Sequence, residues 1–277
     1  MFYKFTLKNN TNQTLMIINQ SVLTCSAEPP RIIALSRRAV YCTRPLKEPS
    51  LMMSMLTNLG EQVAHLHDTT LTCAGGPPVA PPIPATTDER AALLWHWIAT
   101  NHFFNSSLWA EEDLARRTTV SGDEIAQNKR AIDRFNQARN DATERVDEIL
   151  LTELGLVDAA SARTDAPVSK VPPNARLNSE TAGSIIDRMS IMALKIHAMR
   201  AQTLRTDVDD NHRKSSQVKL EKLLQQRADL GDCLDTLIAD TQAGRAFFKV
   251  YRQFKMYNDP RFNPALVAER KQGQQPR

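Results

Sequence analysis

Carboxylates and amides climb one helix-length stretch of this chain in an order that a solvated surface does not require. Asp133, Asn136, Asn140, Glu144 and Asp147 recur at spacings of three and four, and at 3.6 residues per turn they fall within an arc of about 80°. Glu144 and Asp147 stand one turn apart, where both carboxylates can reach a single cation. Glu111 and Glu112, followed by Asp113, close the preceding helix and could face that cation across a short antiparallel connection. A donor set made only of oxygens suits Mg²⁺ or Mn²⁺, which usually bind together with a phosphate. The chemistry indicated is metal-dependent hydrolysis of a phosphoric anhydride or ester. Glu111, Glu112, Glu144 and Asp147 would hold the metal, and Asp133 and Asn140 would orient the water. The plainer alternative is a polar face whose acids pair with neighbouring arginines.

A second group could hold the phosphate. Ser184, Arg188 and Lys195 lie within about 40° on their helix, close to its start at Gly183, where free N–H groups favour anions. The alternative is that Arg188 pairs with Asp187 or Glu180 at the surface. Arg139 and Arg227 each interrupt an apolar stripe and must be paired if they face inward, with the ladder acids or Asp229 and Asp232 as the nearest candidates. Phe247 to Asn263 mixes Tyr251, Phe254, Tyr257 and Phe262 with Lys249, Arg252 and Lys255, a blend that can stack on a base or sugar or simply pack onto a bundle. The six histidines show no metal spacing. The chain has no nucleophile elbow, Walker lysine, dinucleotide glycine fingerprint or zinc motif.

The elements that must position these groups can be read from punctuation and period. All fifteen prolines lie outside 85–166 and 174–259, so those two segments should hold the helices. Thr86 to Glu89 and Ser121 to Glu124 both carry the capping-box pattern. The first opens a helix that buries Leu94, Trp97, Ile98, Phe104 and Leu108. The second opens the laddered helix, whose apolar stripe runs Ile125, Ile132, Phe135, Ala142, Val146 and Ile149 and stops at Gly155. Further helices are predicted from about Thr181 to Met199 and from about His212 to Asp240, with an earlier one over 51–71 joined by the Pro77–Pro84 linker. Val157 to Asn178 is a long Pro-containing connection, read as a mobile or functional loop. Strand alternation is absent, so the fold class is all-α: an antiparallel helical bundle with long helices and a Pro-rich interhelical loop.

Composition sets the outer limits. The chain has 277 residues, 42% hydrophobic and 24% charged, enough to bury a core without staples. Its four cysteines lack pairing or ligand spacing, which fits a reducing cytoplasm. No apolar run approaches a membrane span or a signal-peptide core. Net charge is +4, yet residues 1–50 carry seven Lys/Arg against two Glu and residues 246–277 carry seven against two acids, which leaves the 51–245 body at −6. An acidic body argues against a nucleic-acid partner. Residues 1–50 follow neither period and are expected to form a poorly ordered extension, with Met52 or Met53 as an alternative start. Residues 51–266 should form a single helical domain and 267–277 a flexible basic tail.

Several separated motifs carry a family resemblance. Leu108-Trp109-Ala110-Glu111-Glu112-Asp113 with Arg116, then Asn140-Asp141, Gly183-Ser184-Ile185-Ile186-Asp187-Arg188, and Lys255-Met256-Tyr257-Asn258-Asp259-Pro260 together resemble the bacterial domain of unknown function 4254, over roughly residues 51–266. Ala110 stands where that family commonly has His, and Ala182 where it commonly has Pro. The resemblance implies a helical cytoplasmic protein associated with lipopolysaccharide and other surface-polysaccharide biosynthesis. The acidic pairs are also similar to those of helical pyrophosphohydrolases related to the all-α dUTPases, although Arg116 stands near where a further Glu is expected. Two functions follow as expectations. One is a Mg²⁺-dependent hydrolase of a nucleotide, nucleotide sugar or other phosphorylated ligand. The other is a non-catalytic binding or scaffold protein for a glycosyltransferase.

Overall fold

The computed structural model describes residues 56–72, 81–82, 90–254, 256 and 259–273. Among them six helices form an all-α bundle: α1 (Leu59–Thr72), α2 (Arg90–Leu114), α3 (Gly122–Glu153), α4 (Ala182–Thr203), α5 (Asp210–Gln242) and α6 (Pro264–Gly273). Two short strands, β1 (Arg176–Leu177) and β2 (Ala246–Phe247), accompany them. The expected extension over 1–50, the Met52 start, the Thr86 capping box and most of the Pro77–Pro84 linker lie outside the described residues. Helix α6 covers 267–273 of the stretch expected as a flexible tail.

Local chemistry sets the helix ends. The Ser121 hydroxyl accepts from the Glu124 N–H while the Glu124 carboxylate accepts from the Ser121 N–H, both at 3.2 Å, so the predicted capping box starts α3. Gly155, at φ +71°, turns the chain out of α3 in the left-handed region that favours glycine. Thr181 caps α4 through the Ser184 N–H at 3.1 Å, and Asp209 caps α5 through the His212 N–H at 2.7 Å.

Ion pairs and hydrogen bonds give the helix directions. Arg90 at the start of α2 meets Glu153 at the end of α3, and Asn128 near the start of α3 meets Glu111 near the end of α2. These two helices are therefore antiparallel, as a short connection demands. Parallel pairing of Arg176 with Ala246 and of Leu177 with Phe247 ties the entry of α4 to the exit of α5. Helix α1 lies against α5, with Asp68 on Arg227 and the Gly60 N–H donating to Asp235. A Cβ on Gly60 would come within 2.7 Å of the Gly231 backbone, so the α1–α5 crossing is glycine-dependent. The core between these elements includes Val63, Leu94, Ile98, Val146, Leu150, Ile186, Met189 and Leu234, all nearly inaccessible. Each such side chain contributes roughly 1.5–3 kcal/mol of burial.

The Pro-rich connection is fastened at both ends, by an isolated Val157–Ser169 bridge and by β1 on β2. Strands of two residues are too short for alternation to register in sequence. No helix among the described residues is long and apolar enough to cross a membrane.

Candidate functional site

The polar ladder of α3 is real as a face and divided in its surroundings. Asp133 is exposed and pairs with Lys129 on its own helix. Asn140 is buried and donates to the Gln253 side chain at 2.7 Å. Glu144 accepts from Arg252 at 2.8 Å and from the Gln253 N–H at 2.9 Å. Asp147, 3% exposed, turns toward α4 and accepts the Gly183 N–H at 2.7 Å. Burial pushes its carboxyl up to about 7, against the lowering influence of Thr181 and Gly183. Gly183 permits this approach, since a Cβ there would meet the Thr143 carbonyl at 2.6 Å and Asp147 Oδ1 at 2.9 Å.

The acids at the end of α2 have other partners. Glu111 accepts from Asn128 at 2.7 Å, and Glu112 pairs with Arg116 at 3.0 Å. Glu111, Glu112, Glu144 and Asp147 are thus committed to four different groups. Among the described residues no group of three or more His, Cys, Asp or Glu side chains is disposed to hold a metal ion. The donor set proposed for Mg²⁺ or Mn²⁺ does not assemble among the described residues.

Arg252 does much of the fastening. Its guanidinium, 13% exposed, bridges Glu144 and Glu148 and also donates to the carbonyls of Ala162 and Thr164. It therefore holds the chain after β2 and the Pro-rich connection on α3. Beyond it, Tyr251, Phe254, Met256 and Phe262 are exposed, whereas packing onto the bundle was the alternative to a stacking role.

The residues expected to hold phosphate are separated in the same way. Ser184 is tied into the α4 cap, its Oγ donating to the Thr181 carbonyl at 2.9 Å. Arg188 pairs with Glu180 at 2.6 Å, and Lys195 is exposed. Arg188 and Lys195 do line one open cleft between α4 and α5, with Asp229 and Cys233 opposite. Arg227 and Arg139 find partners the sequence did not indicate. Arg227 bonds Asp68 at 2.5 Å, and Arg139 bonds Asn140 at 3.1 Å with Asp187 at 3.8 Å. Asp229 instead accepts from Gln225 on its own helix at 2.7 Å.

The most developed site lies between α2, α3 and α4. Leu108, Ile191 and Leu194 form the apolar part of a cleft of about 320 Å³, which Asn105, Asn136 and Arg139 enter from three helices. Trp109 (36% exposed), Glu112, Asp113 and Arg116 complete its lining. Arg139 Nε is buried and makes no hydrogen bond among the described residues, meeting Asp187 Oδ1 only as an ion pair at 3.8 Å.

A buried polar seam backs this cleft. Asp187 Oδ1 accepts from Asn101 at 2.9 Å and from Asn105 at 2.8 Å, and Asn101 also reaches Thr143 at 3.0 Å. Asn105 bonds Ser190, whose Oγ lies 2.8 Å from His102 Nδ1. His102 stacks on His67 with ring centroids 4.4 Å apart. Burial pushes His102 down to about 4 and holds His67 well below the usual histidine range, helped by the nearby His102 and Arg227.

Sequence reasoning passed over Asn101, Asn105 and Ser190, took Asp187 only as a motif residue and a surface partner for Arg188, and weighed the histidines only for metal spacing. A signal existed: Asn101, Asn105 and Leu108 step by four and three, as do Asp187, Ile191 and Leu194, with Ser190 three residues from Asp187 and four from Leu194, so both helices carry polar residues on an apolar face. What was missing was the neighbouring helix that makes those positions a cleft wall.

A family model described as Protein of unknown function (DUF4254) matches residues 95–250, more than half of the chain. No curated protein and no solved structure matches it significantly.

Proposed function

The chain belongs to the DUF4254 family, and because the motif segments around Trp109, Asn140 and Asp187 meet at or behind one cleft, we propose that it is a binding protein for a small phosphorylated, ring-bearing ligand. The observation that carries this reading is that Arg139 and Trp109 line the same cleft, with Arg139 Nε making no hydrogen bond and meeting Asp187 only as a 3.8 Å ion pair. A guanidinium offers a planar fork to a phosphate, and an indole offers a face to a ring. A volume of about 320 Å³ is at the lower end of ligand pockets, which favours a sugar phosphate over a whole nucleotide sugar. That ligand class fits the surface-polysaccharide setting the family resemblance implies, where a binding module would serve a glycosyltransferase. The hydrolytic alternative asks Glu111, Glu112, Glu144 and Asp147 to share a cation, and their present partners argue against it.

Titration of the protein with glucose 1-phosphate and with inorganic phosphate, followed by Trp109 fluorescence and calorimetry, tests the proposal. Saturable binding is expected, and Arg139→Met should weaken it by roughly 1.5–3 kcal/mol, the range for a hydrogen bond to a charged group. Equal affinity in wild type and Arg139→Met would overturn the proposal. Phosphate release in the presence of Mg²⁺ or Mn²⁺ would return the hydrolase reading.

A further inference from the structure

One amide in the cleft wall has no choice of which end it presents. Asn105 is 3% exposed, and its Nδ2 lies 2.8 Å from Asp187 Oδ1, 3.1 Å from Ser190 Oγ and 3.2 Å from Asn101 Oδ1. Asp187 as a carboxylate and Asn101 through its carbonyl only accept, so a flipped amide would set oxygen against oxygen. Ser190 agrees with this orientation. Because its Oγ accepts from Asn105, its own hydrogen is free to donate to His102 Nδ1 at 2.8 Å, which requires the neutral tautomer protonated on Nε2. The orientation of the amide is thus set by Asp187 and Asn101, and Ser190 is compatible with it. Nothing among the described residues donates to Asn105 Oδ1.

Resting on the binding reading above, the geometry points to Asn105 as a specificity-determining residue, a fixed acceptor that requires the ligand to bring a hydroxyl or amine hydrogen. The requirement follows from desolvation. A ligand that fills the cleft without a donor at this position leaves a buried carbonyl oxygen unpaired, and sites built to bond a ligand hydroxyl reject the analogue lacking it. Asp187 and Asn101 act in this scheme by holding the amide.

The test uses glucose 1-phosphate and its 2-, 3-, 4- and 6-deoxy analogues on the full chain, with Trp109 as reporter. One deoxy analogue should bind roughly tenfold or more weakly than the parent. In Asn105→Ala, which removes the acceptor itself, the ratio between parent and that analogue should fall toward one. Loss of stability alone would not move this ratio. The wild-type series needs no variant, so the inference stays open to refutation even if Asn105→Ala fails to fold. Equal binding of all four analogues by wild type overturns this inference and leaves the binding reading intact. Absence of binding by every member overturns both. A ratio unchanged in folded Asn105→Ala overturns the assignment of the acceptor to Asn105.

Discussion

Arg252 offers the sharpest test of whether the acids of α3 are structural. Its guanidinium spans Glu144 at 2.8 Å, Glu148 at 2.5 Å, the Ala162 carbonyl at 2.8 Å and the Thr164 carbonyl at 2.9 Å. The carboxylate side chains are 16% and 6% exposed, so Arg252→Met strands two poorly solvated charges. Removing one partner of a buried ion pair costs about 3–5 kcal/mol. Two features put the expectation at the lower end: Arg145 still pairs with Glu148, and the Gln253 N–H still reaches Glu144. A loss of about 3 kcal/mol is therefore expected, equivalent to a midpoint lowered by roughly 6–12 °C in a chain of this size. Urea and thermal denaturation by far-ultraviolet circular dichroism, with chelator present, give the value. Arg252→Lys should fall between the two, since one ammonium cannot serve four acceptors. Glu144→Gln should cost less, because an amide oxygen can still accept from Arg252 and Gln253. A loss below about 1 kcal/mol for Arg252→Met, as for exposed pairs, would refute the reasoning. So would a gain in stability for Glu144→Gln, which is the behaviour of crowded carboxylates waiting for a cation.

Other outcomes follow from single contacts. Asp147, with its carboxyl raised to about 7 from 3.8, keeps its proton in the folded state after the unfolded chain has released it. Its contribution therefore declines as pH rises from 3.8 to about 7. Asp147→Asn should gain on wild type across that window when unfolding free energies are compared, and a constant difference would contradict the assignment. His67 is held well below 6.5 by burial, then by His102 and Arg227, so it stabilises the fold above pH 6.5 and that contribution is lost as pH falls through the unfolded value. His67→Phe should show a shallower loss of stability below pH 6.5 than wild type, and parallel curves would count against it. Gly60→Ala should cost about 1–3 kcal/mol or more by overpacking. Gly231→Ala, whose Cβ would meet Gly60 only at 3.7 Å, should be neutral or gain up to about 1 kcal/mol of helix propensity. Equal losses in chemical denaturation would refute this asymmetry.

Five of the six described helices were legible without any tertiary information, because their causes are local; α6 stands where a flexible tail was expected. The Ser121 box, the Gly155 stop and the Thr181 start are contacts within a few residues, and the apolar stripes record which face each helix buries. The membership of one polar face could be read in the same way. The destination of each residue on that face could not. From Asp133 to Asp147 the ladder extends about 21 Å along α3, and over that length the surroundings change from solvent at Asp133 to the Arg252 contact at Glu144 and the α4 start at Asp147. A shared face fixes direction about the helix axis and says nothing about what stands opposite at each height. Asp147 could be read as a metal ligand because its attachment depends on Gly183 admitting a carboxylate against the α4 backbone, thirty-six residues away. Asn105 and Asp187 read as ordinary polar residues for the same reason. Their importance comes from the packing of α2 against α4, which removes water and obliges each amide, hydroxyl and imidazole to find its partner in the protein. Sequence alone thus determined where the helices begin, end and turn their apolar sides. Long-range packing decided which polar groups are spent on holding the bundle and which still face a cleft.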